Sequence, residues 1–535
     1  MPVHQHRVRR GSQGGQRSDL DGQQGTVDGQ HHDRVAVAEP EVRVRLSARL
    51  RNWKRGKGRD REMGHVLQRA SSLLPSGRQD ARRGILSNQL DQTPGTRRLA
   101  GDSVTHRTLQ LKFAAKLSKS WVPPLLYENP SLTFSKNASL GVVLGMFETG
   151  LAVGRSLGRA GIGVLGLDSS KKVGFYSKYI HASLCPHPLE REEEFIAFLI
   201  RLATLGKMPP VLFITSDEFL LPVSRNRTDL QRYYLMNLPS PHIIESIADK
   251  FNQYKLALDA GIPVPQTFIA GNMDQLLEII DRIPLPAFIK GAEVTLWRKK
   301  MGDAFKGFVV YTQDEVINTF KVIFERGASG LIQEIIQGPD TNHFKASCYL
   351  SKNGEVLLAF GLQKIRQQPV GFGFGCLVQS VEYPELLALG KALFTKIGYR
   401  GVGSAEFKLD QRDGKLKLIE LNPRYWQQNA LAEKCGMNFP LTNYLELTGG
   451  ETETVLDYRH GVKWINLYGD FQSFREYRQQ GPYSVMKWLH SLKGKKVYSD
   501  LAIDDMLPGL HETVLENILW RSGRYVLKKF WKISI

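Results

Sequence analysis

Residues 403–424, GSAEFKLDQRDGKLKLIELNPR, constrain the fold more than any other part of the chain. Two segments that alternate between apolar and polar residues flank DQRDG, which is typical of a turn, and this pattern predicts a β-hairpin. Because successive side chains of a strand point to opposite faces, Glu420 and Asn422 share one face of the second strand. Glu406 lies on the corresponding face of the first strand.

The expected register of this hairpin brings its glutamates together. We expect Leu409 to face Lys415 across the turn. Glu406 is then opposite Leu418, and Glu420 lies diagonally across, roughly 7–8 Å away along the backbone. Two carboxylates and an amide oxygen on one face predict a site for a hard cation such as Mg²⁺, which carries nucleotide phosphates. A solvated sheet face is the alternative, but an unpaired charge in so apolar a strand is costly.

Basic side chains around the hairpin are candidates for phosphate contacts. Arg424 follows Pro423 and suits bidentate contact with a phosphoryl or carboxylate oxygen. Lys250 opens a helix and Lys290 ends the apolar strand AFIK, so both are candidates for triphosphate binding, although such lysines are often only solvated. The loop 291–307 is basic and glycine-bearing, as a flexible phosphate cover should be, but it is not a Walker A loop.

The segment QEIIQGPD is a candidate hinge for a nucleotide base. A strand ending there can present backbone groups of Glu334 and Ile336 to an adenine edge, and Asp340 can accept hydrogen bonds from ribose; an ordinary Gly-Pro-Asp turn is the alternative. Further on, Lys364 and Arg366 alternate on one face of a strand toward the loop QQPVGFGFG. That loop is either a phosphate cradle or a mobile substrate loop.

Residues 141–168 predict a parallel strand–helix–strand unit. Strands are expected at 141–145 and 162–168 and a helix at 147–161, with Asp168 as the terminal acid. A dinucleotide site is one interpretation, but the turn at 145–150 lacks the GxGxxG spacing. We therefore expect a structural or substrate-facing Rossmann-like domain rather than a nicotinamide site.

Charge and composition divide the chain further. The net charge is +19, but residues 1–133 hold 24 Lys and Arg against 12 Asp and Glu, so most of the excess lies where no apolar periodicity indicates a fold. We expect residues 1–133 to be a disordered basic segment, included because the start codon is assigned too far upstream. We expect no nucleic-acid partner. The other expected domains are 134–246, 247–450 and a helical, aromatic extension at 451–535. Four widely spaced cysteines favour a reducing cytoplasm.

Taken in order, these segments resemble the ATP-grasp superfamily, and more closely its carboxylate–amine ligase members related to carbamoyl-phosphate synthase large chains and D-aspartate ligase. The resemblance covers residues 140–450. It rests on the Rossmann-like domain, the opening DK…AGIPVP, the strand FIK, the hinge QEIIQGPD and the hairpin EFKLD…KLIELNPR. It implies an α/β and α+β fold, with a Rossmann-like preATP-grasp domain followed by a two-lobed ATP-grasp domain that holds ATP between its lobes.

The resemblance also implies the roles of the candidate residues. Lys250 and Lys290 would bind phosphates, and Gln333, Glu334, Ile336 and Asp340 would bind the nucleoside. Glu406, Glu420 and Asn422 would hold two Mg²⁺ (or Mn²⁺) ions, and Arg424 and Arg366 are the candidate catalytic residues.

The implied reaction is ligation of a small-molecule carboxylate to an amine through an acylphosphate, with release of ADP and phosphate. An ATP-binding regulatory protein without turnover and, further off, a nicotinamide-dependent oxidoreductase are the alternatives. A homodimer and peripheral membrane contact through the basic, aromatic tail remain open, and packing of that tail on the core is the favoured reading.

Overall fold

A computed structural model of the chain describes residues 138–292, 294–302 and 307–511. The predicted disordered segment 1–133, parts of the predicted phosphate cover and the final basic, aromatic residues 512–535 therefore lie outside the described residues. Within the described ranges, no helix is both long enough and apolar enough to cross a membrane.

A four-stranded parallel sheet forms the first part of the described chain. Its strand order is β3-β2-β1-β4, and the predicted strand–helix–strand unit is confirmed. Three of these strands are short, buried apolar runs, as a sheet covered on both faces requires, whereas the edge strand HASL is more exposed. The strands are β1 Gly141–Leu144, β2 Val164–Asp168, β3 His181–Leu184 and β4 Val211–Ile214, and the helices are α1 Glu148–Arg159, α2 Glu192–Ala203, α3 Asp217–Arg225, α4 Arg227–Leu230 and α5 Pro241–Ala248.

The turn between β1 and α1 is tight and depends on glycine. Gly145 has a φ of 91°, and a Cβ added at Gly150 would lie 1.8 Å from the Gly145 carbonyl oxygen. Asp168 closes this turn, because its Oδ2 accepts a hydrogen bond from the Met146 backbone N–H at 2.8 Å. The terminal acid of the unit thus has a role inside the fold.

A smaller antiparallel sheet follows, in the order β5-β8-β6-β7. Helices pack on it through a buried cluster that includes Phe320, Ile323 and Ile332. The strands are β5 Thr267–Ala270, β6 Ala287–Gly291, β7 Phe308–Val310 and β8 Gly330–Glu334, and the helices of this part are α6 Lys250–Asp259, α7 Met273–Ile279, α8 Val294–Met301 and α9 Gln313–Glu325.

The largest sheet has seven strands in the order β13-β12-β9-β10-β11-β14-β15. Its two long neighbouring strands, β9 and β10, lie on either side of Asn353–Gly354, a dipeptide typical of a β-hairpin turn. The strands are β9 His343–Leu350, β10 Val356–Gln368, β11 Phe374–Ser380, β12 Gly401–Leu409, β13 Leu416–Asn422, β14 Lys463–Ile465 and β15 Lys496–Tyr498, and the helices are α10 Pro384–Lys396, α11 Asn429–Cys435, α12 Phe439–Thr448, α13 Leu467–Gln480, α14 Val485–Ser491 and α15 Leu507–Gly509.

The described part of the C-terminal extension belongs to this large sheet. β14 pairs with β11 and β15 pairs with β14, and Trp464 of β14 is fully buried. The extension was expected to be helical, so these two strands were missed: three-residue strands give too short an alternation to recognise. The structure thus shows packing on the core for the described tail, and we do not propose membrane contact.

The core joins the parallel sheet to the segment that follows the hairpin. One face of the parallel sheet, with Val143 and Phe213, packs in a cluster that includes Tyr425, Trp426 and Phe439. Each large apolar side chain buried in this way contributes roughly 1.5–3 kcal/mol. This packing fixes the ends of β1 and β4 beside the end of β13, where the candidate site residues lie.

Candidate active site

The hairpin register differs from the expected one by one position. Leu409 pairs with Leu416 rather than Lys415, and a β-bulge interrupts the pairing between Glu406 and Phe407. As a result Glu406 lies directly opposite Glu420, not diagonally across from it. Directly opposed residues are the closest neighbours on a sheet face, so Glu406 and Glu420 lie nearer along the backbone than the sequence predicted.

A row of charged side chains crosses four neighbouring strands from this pair. Glu406 on β12 is paired with Glu420 on β13 on one side and with Lys345 on β9 on the other. Lys364 on β10 completes the row, since its Nζ lies 3.1 Å from Glu406 Oε2. The face is therefore acidic toward β13 and basic toward β10. We call these four residues the charged row.

Ion pairs hold both glutamates in the charged form. Lys345 Nζ lies 3.1 Å from Glu406 Oε1, and Lys250 Nζ lies 2.7 Å from Glu420 Oε1. Burial by itself would raise the pKa of Glu406, but the ammonium groups of Lys345 and Lys364 outweigh burial and hold that pKa well below its ordinary value. The pKa of Glu420 is likewise lowered, because Lys250 outweighs the effect of burial.

The two predicted phosphate-binding lysines approach the same end of the charged row. Asp249 caps α6 by accepting a hydrogen bond from the Asn252 backbone N–H at 2.8 Å, which places Lys250 in the first turn. Lys290, on β6 of the smaller sheet, donates to the Tyr254 hydroxyl at 2.9 Å. Burial, with help from the like charge of Lys250, lowers the pKa of Lys290 to about 7. The structure thus brings both lysines near Glu420.

Arg424 points across to the parallel-sheet part of the chain. It forms a bidentate ion pair with Asp217, the first residue of α3, and donates to the Asn422 side-chain oxygen at 3.3 Å. Arg424 Nη2 thereby bridges Asn422, a candidate metal ligand, and Asp217, which the sequence did not indicate as a site residue. Arg424, Asn422 and the two glutamates line one cavity, and strand alternation predicted the shared face of the glutamates and Asn422.

The hinge residues are engaged within the fold. Gln333 accepts from Lys290 at 3.0 Å, and the Glu334 backbone N–H donates to the Gln266 carbonyl at 2.9 Å. The Glu334 amide is therefore not directed to a base edge, contrary to the expectation, because strand β8 uses it. Ile336 is buried, and Asp340 accepts a hydrogen bond from Gln367 Nε2 at 2.6 Å and another from a tyrosine hydroxyl of α13.

Arg366 lies apart from the other site candidates. Its Nε donates to Asp470 Oδ1 at 2.7 Å, its Nη1 donates to Ser491 Oγ at 2.6 Å, and it does not line the cavity. Both members of the ion pair are almost fully buried, at 2% and 1% exposed. Irregular pairing on each side of Arg366 breaks the alternation expected between it and Lys364. The geometry therefore assigns Arg366 to the attachment of the C-terminal extension, not to the site.

The charged row forms part of the wall of a cavity of about 980 Å³. The cavity is also lined by the beginnings of three helices: α1 with Glu148, α3 with Asp217, and α13 with Gly469 and Gln472. A volume of this size suits a small-molecule ligand. All three sheet-bearing parts contribute to the neighbourhood, since Lys250 and Lys290 reach Glu420 from the side of the smaller sheet.

The donor set fits a hard divalent cation. Glu406, Glu420 and Asn422 offer carboxylate and amide oxygens, the ligands that Mg²⁺ and Mn²⁺ take, and only a few of them, as expected where phosphates and water complete the shell. Among the residues that the structure describes, there is no cluster of three or more His, Cys, Asp or Glu side chains arranged for a metal ion. A metal bound here would therefore depend on a ligand for the rest of its coordination.

Several cavity residues were missed in the sequence. Lys345, Asp217, Glu148 and Gln428 line the cavity but belong to segments without a recognisable motif. Of these residues, only Lys345 is marked by its sequence context. A lysine two residues after another polar residue is unusual in a strand that is otherwise suited to burial. The others become neighbours only through tertiary packing.

Part of the chain is similar to known ATP-binding proteins. Residues 374–444 match a family model described as carbamoyl-phosphate synthase L chain, ATP binding domain. The D-aspartate ligase of Enterococcus faecium (strain Aus0004) is 24% identical over 279 residues, which are 49% of this chain and 65% of that protein. The pyruvate carboxylase of Schizosaccharomyces pombe is 26% identical over 216 residues, 37% of this chain and 17% of that protein. The chain thus spans less than two thirds of these relatives.

A solved structure shares the fold. The N5-carboxyaminoimidazole synthetase from Staphylococcus aureus, complexed with ADP, aligns with a TM-score of 0.50 at 14% identity, over 65% of this chain and 87% of that one. The fold and the site together define a mixed α/β protein with a charged cavity beside a β-hairpin at the edge of the largest sheet. The predicted resemblance to carbamoyl-phosphate synthase large chains and to D-aspartate ligase is confirmed by these similarities.

Proposed function

We propose that this protein is an ATP-dependent ligase that joins a substrate carboxylate to an amine. The observation that carries the proposal is the directly opposed pair Glu406 and Glu420, bordered by Asn422 and flanked on both sides by lysines. The acidic oxygens suit a metal cation that carries a polyphosphate, and the buried lysines beside them suit a second anion. The likeness to D-aspartate ligase supports the same class of reaction.

The proposed nucleotide site lies between the smaller sheet and the hairpin. Lys250 and Lys290 bind the triphosphate, and Gln333, Ile336 and Asp340 border the nucleoside. Glu406, Glu420 and Asn422 hold Mg²⁺ or Mn²⁺, which, when bound, neutralises charge on the phosphates. In domain terms, the parallel-sheet part up to residue 246 is a preATP-grasp Rossmann-like domain and residues 247–450 are the ATP-grasp domain.

The proposed reaction needs positioning and charge neutralisation from the protein. A substrate carboxylate oxygen attacks the γ-phosphorus, the bond to the β-phosphate oxygen breaks, and ADP and an acylphosphate form. An amine then attacks the acyl carbon, phosphate leaves with its electron pair, and the amine nitrogen loses a proton. Arg424, which donates to the Asn422 side-chain oxygen at 3.3 Å, is the proposed contact for a phosphoryl or carboxylate oxygen.

The cysteines give no support to a covalent thiol mechanism. All four are buried, and burial raises the pKa of Cys348 and of Cys376 to about 12, so their thiols stay protonated near neutral pH. None of the four lines the cavity. This agrees with a reaction in which the activated intermediate is the acylphosphate of the substrate.

A screen for carboxylate-dependent ADP formation tests the proposal. Purified protein with MgATP is given D- and L-amino acids, including D-aspartate, and sugar acids as carboxylates, each with and without a panel of amines. We expect one carboxylate to raise ADP formation well above the background rate, and an amine to yield a product with a new amide bond by mass spectrometry. Tight ATP binding with no ADP formation across the panel would favour the regulatory alternative.

A further inference from the structure

Lys345 and Lys364 are two buried ammonium groups that share one carboxylate. Their side chains are 8% and 9% exposed, and each Nζ lies 3.1 Å from one oxygen of Glu406. The remaining contacts are with neutral groups: Lys345 donates to the Gln428 side-chain oxygen at 3.3 Å, and Lys364 donates to the Gly373 carbonyl at 3.4 Å. Both lysines line the cavity together with Glu406.

The charges around these lysines do not balance. Glu406 carries one negative charge for two ammonium groups, and the next acid along the charged row, Glu420, is paired with Lys250. Arg424, the other cation of this cavity wall, is paired with Asp217. The cavity wall also holds the acids Glu148, Asp217 and Glu218, so the excess of positive charge is local to Lys345 and Lys364. Buried cations without full compensation are costly, and this local excess favours an anion beside the two ammonium groups. If Glu406 instead binds a metal cation, neither ammonium group keeps its counter-charge, and the local excess grows to two positive charges.

Lys345 and Lys364 lie apart from Lys250 and Lys290, the two lysines proposed to bind the triphosphate. Along the charged row, Lys250 lies at the Glu420 end, whereas Lys345 and Lys364 lie beyond Glu406 on β9 and β10. The proposed triphosphate occupies the Glu420 end, because Lys290 also approaches there. The ammonium groups at the other end therefore face whatever lies across the two carboxylates from the nucleotide.

We propose that Lys345 and Lys364 form an oxyanion subsite that binds the carboxylate of the acyl substrate. The proposal rests on the ligase function proposed above. In it, the two ammonium groups hold the carboxylate in line with the γ-phosphate, and Gln428 orients Lys345. Glu406 occupies the lysines in the empty protein and releases them when it binds a cation, so cation binding prepares the subsite.

Titration calorimetry on the full chain tests the subsite. The probes are succinate, a simple carboxylate, and inorganic phosphate, each titrated with saturating Mg²⁺ and ADP. The wild type is expected to bind succinate, and Lys345→Gln and Lys364→Gln are each expected to weaken that binding roughly ten- to hundredfold. Lys434→Gln, which changes an exposed lysine of α11, is the matched control and should bind as the wild type does.

Further outcomes separate the subsite from the ligase function. Phosphate binding that the same variants weaken, without succinate binding, would assign the oxyanion to the transferred phosphoryl group and overturn the carboxylate assignment. Unchanged binding in both lysine variants, or no binding of either probe to the wild type, would overturn the subsite itself. Failure of the wild type to bind Mg²⁺ and ADP would instead contradict the ligase function, and titration of the probes without nucleotide would then decide the subsite alone.

A second variant keeps the test valid if the lysine variants do not fold. Glu406→Gln removes the carboxylate that competes for both ammonium groups, so it should strengthen binding of succinate about tenfold when no divalent cation is present. The unfolding midpoint of each variant shows whether the protein is folded. Succinate binding by folded Glu406→Gln that is no tighter than in the wild type would overturn the proposal.

Discussion

Arg424 and Asp217 form a bidentate ion pair that ties the end of the hairpin to the first turn of α3. Arg424 Nε lies 2.9 Å from Asp217 Oδ1, and Nη2 lies 3.0 Å from Oδ2. Such two-point pairing fixes the plane of the guanidinium as well as its position. The parallel-sheet part of the chain therefore takes part in orienting a residue of the proposed catalytic site, although it supplies none of the proposed metal ligands.

Replacing Asp217 by asparagine should reduce turnover more than stability. The Asp217 side chain is 58% exposed, so loss of the pair should lower the free energy of unfolding by no more than about 1 kcal/mol. Turnover should fall about tenfold, because Arg424 loses its fixed orientation while the nucleotide contacts remain. Steady-state kinetics with the carboxylate found in the screen, together with calorimetry of Mg²⁺ and ADP binding, measure both effects.

Arg225→Gln is the control for that variant. It breaks a comparable exposed ion pair of the same helix, with Glu192, away from the cavity. Its turnover should equal that of the wild type. Equal turnover in Asp217→Asn would show that the Arg424 pair has no part in the reaction.

Arg366 should prove to be a stabilising residue. Removing one member of a buried ion pair leaves an uncompensated charge, so Arg366→Ala should lower the free energy of unfolding by about 3–5 kcal/mol. Turnover per folded molecule, measured well below the unfolding transition, should stay within about twofold of the wild type. Denaturant unfolding and kinetics on the same preparation provide the two values.

The matched control is Arg159→Gln, which breaks the more exposed pair with Asp504 and should cost about 1 kcal/mol or less. If Arg366→Ala instead kept its stability and lost turnover, the original assignment of Arg366 to catalysis would be correct and the structural one wrong.

Lys290 should couple nucleotide binding to proton uptake. In the empty site its pKa is lowered to about 7, first by burial and then by Lys250, so it is largely neutral above that pH. Phosphate oxygens next to its amine would favour the ammonium form and raise the pKa. Between pH 7 and the ordinary lysine pKa, ADP binding should therefore take up a proton, and affinity should fall as pH rises.

Calorimetry of ADP binding at pH 8 in buffers of different ionisation enthalpy measures that uptake. The wild type should take up close to one proton more than Lys290→Met. The same lowered pKa means that the unfolded chain binds more protons than the folded one in this window, so the Lys290 contribution makes the free energy of unfolding increase with pH. Equal proton uptake in both proteins would rule out a contact between Lys290 and the phosphates.

Much of the fold follows from local sequence patterns. The glycine turn and apolar runs at 141–168 and the Asn353–Gly354 hairpin each predict their element, because the pattern and the element extend over the same few residues. Strands β14 and β15 were not predictable in this way. They have three residues each. β14 is placed by pairing with β11, about 85 residues earlier, and β15 is placed by pairing with β14.

The site residues, too, were predictable only where a local sequence pattern places them. Alternation was enough to place Glu406, Glu420 and Asn422 together. The true register depends on the pairing at the turn and on the bulge after Glu406, which a sequence does not reveal. Arg366 was misplaced because its partner, Asp470, lies 104 residues away in a segment without a motif. Lys345 and Asp217 were missed since only strand pairing and helix packing bring them to the cavity. The roles of all these residues remain predictions.

The central claim is that Glu420, with Glu406 and Asn422, holds a divalent cation against nucleotide phosphates. The most direct measurement is the dissociation constant of the Mn²⁺–ADP complex, followed by the electron paramagnetic resonance signal of free Mn²⁺, for the wild type, Glu420→Gln and the exposed control Glu385→Gln. The account predicts that Glu420→Gln binds Mn²⁺–ADP at least about tenfold more weakly, with its fold intact, while Glu385→Gln matches the wild type. Binding of Mn²⁺–ADP by folded Glu420→Gln as tightly as by the wild type would contradict it.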